Sequence, residues 1–328
     1  MPPQTLPRTD LKPIRPTRGG RLLDYLQQLF PPAVYVPSGL ASFFSIHFAL
    51  QASNGIAPLQ VTWRALLGAV SVVLITLLLR ANDELKDAES DRALAREGDP
   101  KYLDRALVTG HVREEDISAL RLWVAGVVIA MNLAIARPAA LAGFAFAMLV
   151  VWLSAKWFFW PKIAGNLLLA FATHNPIALA VGIYVVSIFA AEYGVGAVNR
   201  VAVAALVAGW LPIAAWETSR KVRAPGEETR YQTYSLLLGW KVAAALPTLF
   251  AVLSTFALAY LVEATGLPRL YLGVVIAANA VVAAASLRFR LRPTSRSANL
   301  RPFAEVYVVT VTVGLVIALA VTHGVRWV

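Results

Sequence analysis

The chain of 328 residues contains no cysteine and only four histidines. The absence of cysteine excludes disulfide bonds, thiolate zinc sites and cysteine nucleophiles. The histidines form no His-Glu-x-x-His pattern. The N-terminal region is basic and rich in proline, and it lacks a short apolar core followed by a small-residue cleavage site. It therefore does not predict a cleaved signal peptide.

Charged residues are also scarce, at 15% of the chain, whereas 58% of the residues are hydrophobic. A soluble domain is less apolar than this, and repeated long apolar runs indicate a polytopic membrane protein. The formal net charge is +11. In a membrane protein, such an excess points to cytoplasmic loops and not to nucleic-acid binding.

Nine apolar segments have about the length that a membrane-spanning helix needs. We therefore predict an all-α fold in which residues 33–328 form a transmembrane domain. Residues 1–32 are predicted to be a basic cytoplasmic tail with a short interfacial helix around Leu22–Phe30. The fifth span contains Pro176, which is expected to kink or break its helix. The predicted spans lie near residues 33–52, 61–80, 117–136, 138–156, 163–190, 197–216, 238–262, 268–287 and 304–323.

Basic residues are concentrated in every second connection between these spans. The positive-inside rule then places the N-terminus and the even-numbered connections in the cytoplasm, and the C-terminus on the opposite side. We predict a multi-pass protein of a bacterial inner membrane with a cytoplasmic N-terminus. The basic residues of the even-numbered connections are Lys86, Arg92, Arg96, Lys101, Arg105, Arg113, Lys156, Lys162, Arg220, Lys221, Arg223, Arg230, Arg288, Arg290, Arg292, Arg296 and Arg301.

An acidic segment follows directly on the second apolar run. If the helix of that run continues, Asp83, Asp87 and Asp91 recur every four residues, and each lies about 40° round the helix from the last. Three carboxylates in one stripe repel each other unless a cation neutralises them. Hard oxygen ligands suit Mg²⁺, which completes its shell with substrate phosphate oxygens. A solvated, salt-bridged helix face is the alternative interpretation.

A second carboxylate-bearing segment begins where the sixth apolar run ends, at Trp216. Two acidic clusters can hold Mg²⁺ ions that bind a diphosphate, and cations neutralise the charge on a departing diphosphate. Neither segment contains enough nearby cations to make ion pairing its only expected role. The basic residues predicted to assist the diphosphate are Arg105, Lys156, Arg220 and Lys221.

The chain after its N-terminal tail resembles the UbiA-type intramembrane prenyltransferases. The first motif of that family reads Asn-Asp-x-x-Asp-x-x-x-Asp. Here Asn82, Asp83, Asp87 and Asp91 stand in its place, with the middle aspartate one residue later than usual. The stretch at 105–110, Arg-Ala-Leu-Val-Thr-Gly, resembles the Arg-Pro-Leu-Pro-Ser-Gly stretch that often follows this motif.

Two further segments resemble the family with substitutions. Lys156 resembles the lysine of a Tyr-x-x-x-Lys-Arg segment, although tryptophans replace the tyrosine and the arginine. The second acidic motif is usually of an Asp-x-x-x-Asp type. Here Glu217 stands for the first acid, and Lys221 occupies the position of the second. Glu227 or Glu228 is expected to replace that ligand.

The resemblance implies nine transmembrane helices around a central cavity and Mg²⁺ as the cofactor. It also implies transfer of a prenyl group from a polyprenyl diphosphate to an aromatic or lipid-like acceptor within the membrane, with no nucleic-acid partner. The metal ligands that it implies are Asp83, Asp87, Asp91, Glu217 and Glu228. The diphosphate ligands that it implies are Asn82, Arg105, Lys156, Arg220 and Lys221.

Two other classes of function remain open at this point. A terpene cyclase on the same scaffold would share the metal site but capture the cation within its own chain. A transporter would use a charged or broken-helix site near the middle of the membrane. His174 and Asn175 beside Pro176 are the candidates for such a site, although a locally satisfied kink is the favoured interpretation of these residues. The sequence does not give the acceptor, the prenyl chain length or the oligomeric state.

Overall fold

The computed structural model describes residues 17–98, 100–228 and 232–328. The basic tail predicted for residues 1–16 and the predicted cytoplasmic Arg230 lie outside the described residues, as does the side chain of Lys101. The α-helices of the described part are α1 (Arg18–Leu29), α2 (Pro32–Ser53), α3 (Trp63–Arg96), α4 (Pro100–Leu103), α5 (Ala106–Thr109), α6 (Glu114–Ile135), α7 (Pro138–Ala155), α8 (Leu167–His174), α9 (Ile177–Tyr193), α10 (Arg200–Ser219), α11 (Tyr234–Leu238), α12 (Trp240–Ala264), α13 (Arg269–Leu291), α14 (Ser295–Ala298) and α15 (Arg301–His323). The short 3₁₀ turns are Trp157–Phe159, Pro161–Ile163 and Val195–Ala197, and the strands are β1 (Leu59–Val61) and β2 (Val325–Trp327).

Nine helical segments of the described residues are long and apolar enough to cross a membrane. They coincide with the nine predicted spans, and the predicted all-α polytopic fold is confirmed. The fifth segment consists of α8 and α9, and the ninth consists of α14 and α15. The interfacial helix predicted around Leu22–Phe30 corresponds to α1, which begins four residues earlier.

The longest helix, α3, contains 34 residues. At 1.5 Å per residue it is about 51 Å long, whereas the hydrocarbon core of a bilayer is about 30 Å thick. Its apolar first half is long enough to cross the membrane, and its polar second half continues beyond the apolar run. Alanine, leucine, glutamate, lysine and arginine dominate this second half, and all are strong helix formers.

The described residues form two compact units. The first contains the described residues up to Tyr35 together with Leu77–Gly126. The second contains Val36–Thr76 and Val127–Val328. The helices α2, α3 and α6 contribute residues to both units, since each crosses one of these boundaries.

The core of the first unit forms where small residues allow α1 to approach the polar half of α3. The buried side chains are Tyr25, Ala81, Ala88, Ala106, Leu107, Val112 and Ile117. Tyr25 is fully buried, and alanines at positions 81 and 88 leave room for its ring. Leucines from α1, α3 and α6 pack around this cluster. The acidic end of α3 is therefore packed against α1, α5 and α6.

Close approach of helices in the second unit also depends on small residues. A Cβ atom on Gly143 of α7 would lie 2.0 Å from the Ser187 hydroxyl of α9. Polar side chains add hydrogen bonds between helices: the Asn132 amide donates to Ser71, over 3.0 Å, and accepts from the Tyr184 hydroxyl, over 2.7 Å. Small residues and such buried hydrogen bonds are the usual means by which membrane helices associate.

The predicted break in the fifth span is confirmed. Helix α8 ends at His174, and α9 begins at Ile177. The Asn175 side-chain oxygen accepts a hydrogen bond from the Trp210 indole at 2.7 Å. The Asn175 side chain beside the break is therefore hydrogen-bonded within the protein, as is expected of a locally satisfied kink.

The pairing of β1 with β2 was not predicted from the sequence. The strands run parallel, with Leu59 opposite Val325 and Val61 opposite Trp327. Strand β1 lies between α2 and α3, and β2 follows α15. The C-terminal strand therefore lies at the end of the bundle where α2 leads into α3, as an odd number of crossings requires.

Candidate functional site

The first candidate element is the polar half of α3, which carries the predicted acidic stripe. The condition for the stripe is met, because Asp83, Asp87 and Asp91 lie on one uninterrupted helix. Asn82, a predicted diphosphate ligand, is buried at the start of this half with 7% of its surface exposed. The environments of the three aspartates differ, and this decides what each carboxylate can bind.

Asp83 and Asp87, the first two aspartates of the stripe, differ in their ion pairing. The Lys86 ammonium lies 2.9 Å from Asp83 Oδ1, and 44% of the Asp83 side chain is exposed. Asp87 is partly buried, and its carboxylate has no ion pair or hydrogen bond within the described part of the chain. A partly buried carboxylate without a cation is electrostatically costly. This position therefore favours a bound cation.

Asp91 is engaged by a cation that lies 14 residues further along the chain. Arg105, the residue before α5, donates from Nη1 to Asp91 Oδ2 in a short contact. Its guanidinium also lies 5.0 Å from the centre of the Tyr102 ring. The predicted diphosphate ligand Arg105 and the predicted metal ligand Asp91 are thus brought together, and each neutralises the other in this structure.

Glu84 is a buried carboxylate that the sequence analysis missed. Only 1% of its surface is exposed. Arg80 Nη2 donates to its Oε2 at 2.7 Å, and Arg105 Nη1 lies 3.8 Å from its Oε1. The four-residue spacing between Arg80 and Glu84 was the available signal, because residues so spaced are neighbours on a helix.

Helix α1 is tied to the start of α6 by a second buried ion pair. Asp116 accepts from Arg21 Nε at 2.7 Å and Nη2 at 2.8 Å, and from Arg18 Nε at 3.1 Å. The hydrogen bond to Asp116 raises the pKa of Arg21 above its usual value. Arg18 and Arg21 were predicted only as part of a basic tail. The structure gives them a partner about 95 residues away.

Tyr25 of α1 lies beneath the acidic half of α3. Its hydroxyl is buried without a hydrogen-bond partner among the described residues. Burial raises the pKa of the Tyr25 phenol, and the negative charge of Glu84 raises it further. Tyr25 is therefore neutral over the physiological pH range, and its ring packs near the buried carboxylate of Glu84.

The second candidate element is the C-terminal end of α10 in the second unit. The sequence predicted that the helix ends at Trp216, where the apolar run ends, but it continues to Ser219, because the backbone hydrogen bonds of a helix do not depend on apolar side chains. Glu217 therefore lies in the last helical turn. Its carboxylate is 3.3 Å from Arg220 and 3.2 Å from Lys221. Contrary to the expectation from sequence, this acid has two cations in its own neighbourhood.

The loop after α10 holds the other predicted ligands. The Lys221 carbonyl accepts from the Tyr234 backbone at 3.0 Å, which closes the loop onto the start of α11. Glu228 accepts a hydrogen bond from the Thr233 hydroxyl at 2.6 Å. Glu227 accepts from Ser295 in a short contact. Glu227 is thus bound to α14, and Glu228 keeps one carboxylate oxygen outside any hydrogen bond that the structure shows.

Lys156 caps the C-terminus of α7, and its side chain is exposed. It makes no ion pair within residues 17–98, 100–228 and 232–328. The next three residues, Trp157–Phe159, all have positive φ angles. The rings of Trp157 and Phe158 lie 5.1 Å and 5.3 Å from the ring of His174. This aromatic turn packs against the end of α8 and leaves Lys156 available to a ligand.

The residues fit Mg²⁺ only if the substrate completes the coordination. Within the described residues, no three histidine, aspartate or glutamate side chains converge to hold a metal ion. Mg²⁺ is usually bound by one or two carboxylates together with waters and substrate phosphates. Asp83 and Asp87 supply hard oxygen donors of this kind. The donor set is therefore suited to a metal ion that arrives with a diphosphate.

No protein-family model matches the chain, and no curated protein matches it. Two solved structures do. One is described as a digeranylgeranylglyceryl phosphate synthase in membranes; it is 17% identical, with a TM-score of 0.55 over 92% of this chain and 99% of that one. The other is the apo structure of a UbiA homolog from Aeropyrum pernix K1; it is 17% identical, with a TM-score of 0.60 over 86% of this chain and 97% of that one.

These likenesses establish the fold. The chain has a UbiA-type polytopic fold over most of its length, and it is an integral, multi-pass membrane protein. The resemblance inferred from the acidic motif is thereby confirmed at the level of fold. The roles of the site residues, the bacterial inner membrane and the cytoplasmic N-terminus stay predictions.

Proposed function

We propose that this protein transfers a prenyl group from a polyprenyl diphosphate to an acceptor inside the membrane. The observation that carries the proposal is the partly buried Asp87 without a cationic partner, on an acidic helix of a UbiA-type fold. A cation would stabilise a carboxylate in this position, and a metal-bound diphosphate would supply one.

In the proposed reaction, Asp83 and Asp87 hold Mg²⁺ through their carboxylates. The bound metal would neutralise the charge that develops on the departing diphosphate. Arg105 would donate hydrogen bonds to phosphate oxygens, since a guanidinium matches phosphate geometry well. Lys156, Arg220 and Lys221 are proposed as further donors. The buried Asn82, at the start of the acidic half of α3, is proposed as a further ligand of the diphosphate.

Glu217 and Glu228 are proposed as further metal ligands. The support comes from the resemblance of their segment to the second acidic motif. The ion pairs of Glu217 with Arg220 and Lys221 suggest a second use, in which this acid holds two cations ready for the diphosphate.

The test is incubation of the purified protein with Mg²⁺ and a panel of prenyl diphosphates, with and without aromatic and lipid-like acceptors. Product masses would show a prenylated acceptor if the proposal is correct, and chelation of the metal should stop its formation. A cyclised hydrocarbon formed without an acceptor would instead identify a terpene cyclase. If no prenyl diphosphate is consumed, both enzyme hypotheses are refuted, and the transporter hypothesis remains.

We further propose that the N-terminus and both acidic segments face the cytoplasm of a bacterial cell. The alternation of basic connections supports this orientation. Reporter fusions after Arg113 and after Arg230 should both report the cytoplasm, and a fusion at Val328 should report the opposite side. Opposite locations for the first two would contradict this orientation.

A further inference from the structure

Glu84 is buried among the acidic residues of α3 and has one unused oxygen. Its Oε2 is bound by Arg80, whereas Oε1 accepts no hydrogen bond from the described residues. A buried carboxylate oxygen normally has a hydrogen-bond donor, and an exception calls for a reason. The neighbouring cation is Arg105, whose Nη1 lies 3.8 Å from Oε1.

The same nitrogen of Arg105 is bound to Asp91. A typical N–H···O hydrogen bond is about 2.9 Å long, so a shift of about 1 Å would bring Arg105 Nη1 within reach of Glu84. The guanidinium carries five donors in a rigid fork, which allows it to change one partner while it keeps others. Arg105 thus lies between two carboxylates. It donates a hydrogen bond to Asp91, whereas Glu84 Oε1 can still accept one.

Binding of a divalent cation changes the balance at Asp91. A carboxylate that coordinates a metal ion attracts a guanidinium less, and the two positive charges repel each other. Arg105 then needs another anionic acceptor, because its side chain is largely buried, with 23% exposed. Glu84 Oε1 lies beside it, in an ion pair with Arg105 at 3.8 Å but without a hydrogen bond from the described residues.

We propose that Glu84 is a positioning residue that receives Arg105 when Asp91 turns to the metal-bound diphosphate. The inference rests on the proposed function, since it names how one predicted ligand is released. In the unliganded protein, Arg105 neutralises Asp91. In the liganded protein, Glu84 retains Arg105 beside the site, where the other guanidinium donors face the diphosphate.

The test is Mn²⁺ binding to the full-length protein in detergent, measured by electron paramagnetic resonance with and without inorganic pyrophosphate. We expect Glu84→Gln to weaken Mn²⁺ binding in the presence of pyrophosphate by roughly tenfold, as for loss of one charge-assisted hydrogen bond. Glu89→Gln is the matched control, because Glu89 is an exposed acid of the same helix without an ion pair in the described residues. It should change Mn²⁺ binding less than about twofold, as expected of a surface charge.

A double-mutant cycle with Asp91→Asn tests the pathway of the effect. If Glu84 acts by freeing Asp91, Glu84→Gln should have little further effect on Mn²⁺ binding in the Asp91→Asn background. Glu84→Asp keeps the charge but shortens the reach, and it should give an intermediate affinity. If the Glu84→Gln variant does not fold, Glu84→Asp is used in its place in the double-mutant cycle.

A merely structural Glu84 would give a different pattern. Its removal would lower the thermal stability of the protein, and the affinity of the folded fraction for Mn²⁺ would stay unchanged. That result, or the absence of Mn²⁺ binding by the wild-type protein, would overturn the inference. A protein that binds Mn²⁺ and pyrophosphate in a Glu84-dependent way but consumes no prenyl diphosphate would refute the proposed function and keep the inference.

Discussion

The two acidic segments of this protein hold their carboxylates in opposite ways. On α3, Asp91 is paired with an arginine 14 residues away in the chain, and Asp87 has no cationic partner among the described residues. At the end of α10, Glu217 is paired with the cations three and four residues after it. The first arrangement depends on the folding of several elements, whereas the second is complete within one helical turn.

This difference indicates unequal roles in the proposed site. A locally paired acid is already neutralised, and a metal ion must compete with two cations for it. A partly buried acid without a partner has an unmet electrostatic requirement. We therefore expect the α3 carboxylates to dominate metal binding, and the α10 segment to contribute mainly cations for the diphosphate. Mutations in each segment should therefore reduce activity to different extents.

The largest effect is expected at Asp87. Asp87→Asn keeps the size and hydrogen bonding of the side chain but removes the charge that the metal needs. Loss of such a transition-state interaction commonly costs on the order of 10²–10³ in rate. Mg²⁺-dependent consumption of a prenyl diphosphate is the measurement, with Glu89→Gln as the control on the same helix. Full activity of Asp87→Asn would identify the α3 stripe as a solvated helix face.

A smaller loss is expected at Glu217. Glu217→Gln should lower turnover by roughly 10–100-fold, as is typical of residues that orient groups around a metal site. The dependence on Mg²⁺ concentration distinguishes its two possible uses. A shift of activation to higher Mg²⁺ would indicate a metal ligand. A raised KM for the diphosphate at unchanged Mg²⁺ dependence would indicate that Glu217 positions Arg220 and Lys221.

Lys221 should matter less than either acid. Lys221→Gln removes one charge-assisted hydrogen bond to the diphosphate, and turnover should fall about tenfold. Arg223→Gln is the matched control, because it removes a cation from the same loop and affects membrane topology equally. Equal activity of the two variants would leave Lys221 with a topological role only.

The smallest effects are expected on thermal stability. The buried ion pair between Asp116 and Arg21 in the first unit should contribute more to stability than the exposed pair between Glu305 and Arg301 in the second unit. Asp116→Asn leaves Arg21 without its main partner and should lower the melting temperature in detergent by several degrees. Glu305→Gln breaks the exposed pair with Arg301, which is worth only about 0–1 kcal/mol. Similar melting temperatures for both variants would show that α1 is not held by Asp116.

The sequence predicted those parts of the fold that depend on local chemistry. The nine spans follow from the length of apolar runs, and the break before α9 follows from the geometry of Pro176. The stripe of Asp83, Asp87 and Asp91 follows from helical periodicity. Even here the predicted end of α10 at Trp216 was wrong by three residues, because the end of an apolar run does not by itself end the backbone hydrogen bonds of a helix.

Contacts between residues that are distant in the sequence could not be predicted from local patterns. Glu84 was passed over because its importance comes from Arg105 and from the packing of α1 over α3. The parallel pairing of β1 with β2 joins segments more than 260 residues apart, and no periodic pattern announces it. Asn175 attracted notice as a polar group in an apolar span, but its partner Trp210 could be found only in the folded chain.

The class of fold, the number of spans and the face of α3 that carries the acids can be predicted from the amino-acid sequence, because hydrophobicity and helical periodicity are properties of neighbouring residues. Which of those acids is paired depends on the folded chain. Whether a carboxylate is neutralised depends on what packs against it: Arg105 reaches both Asp91 and Glu84, and within the described residues no cation pairs with Asp87.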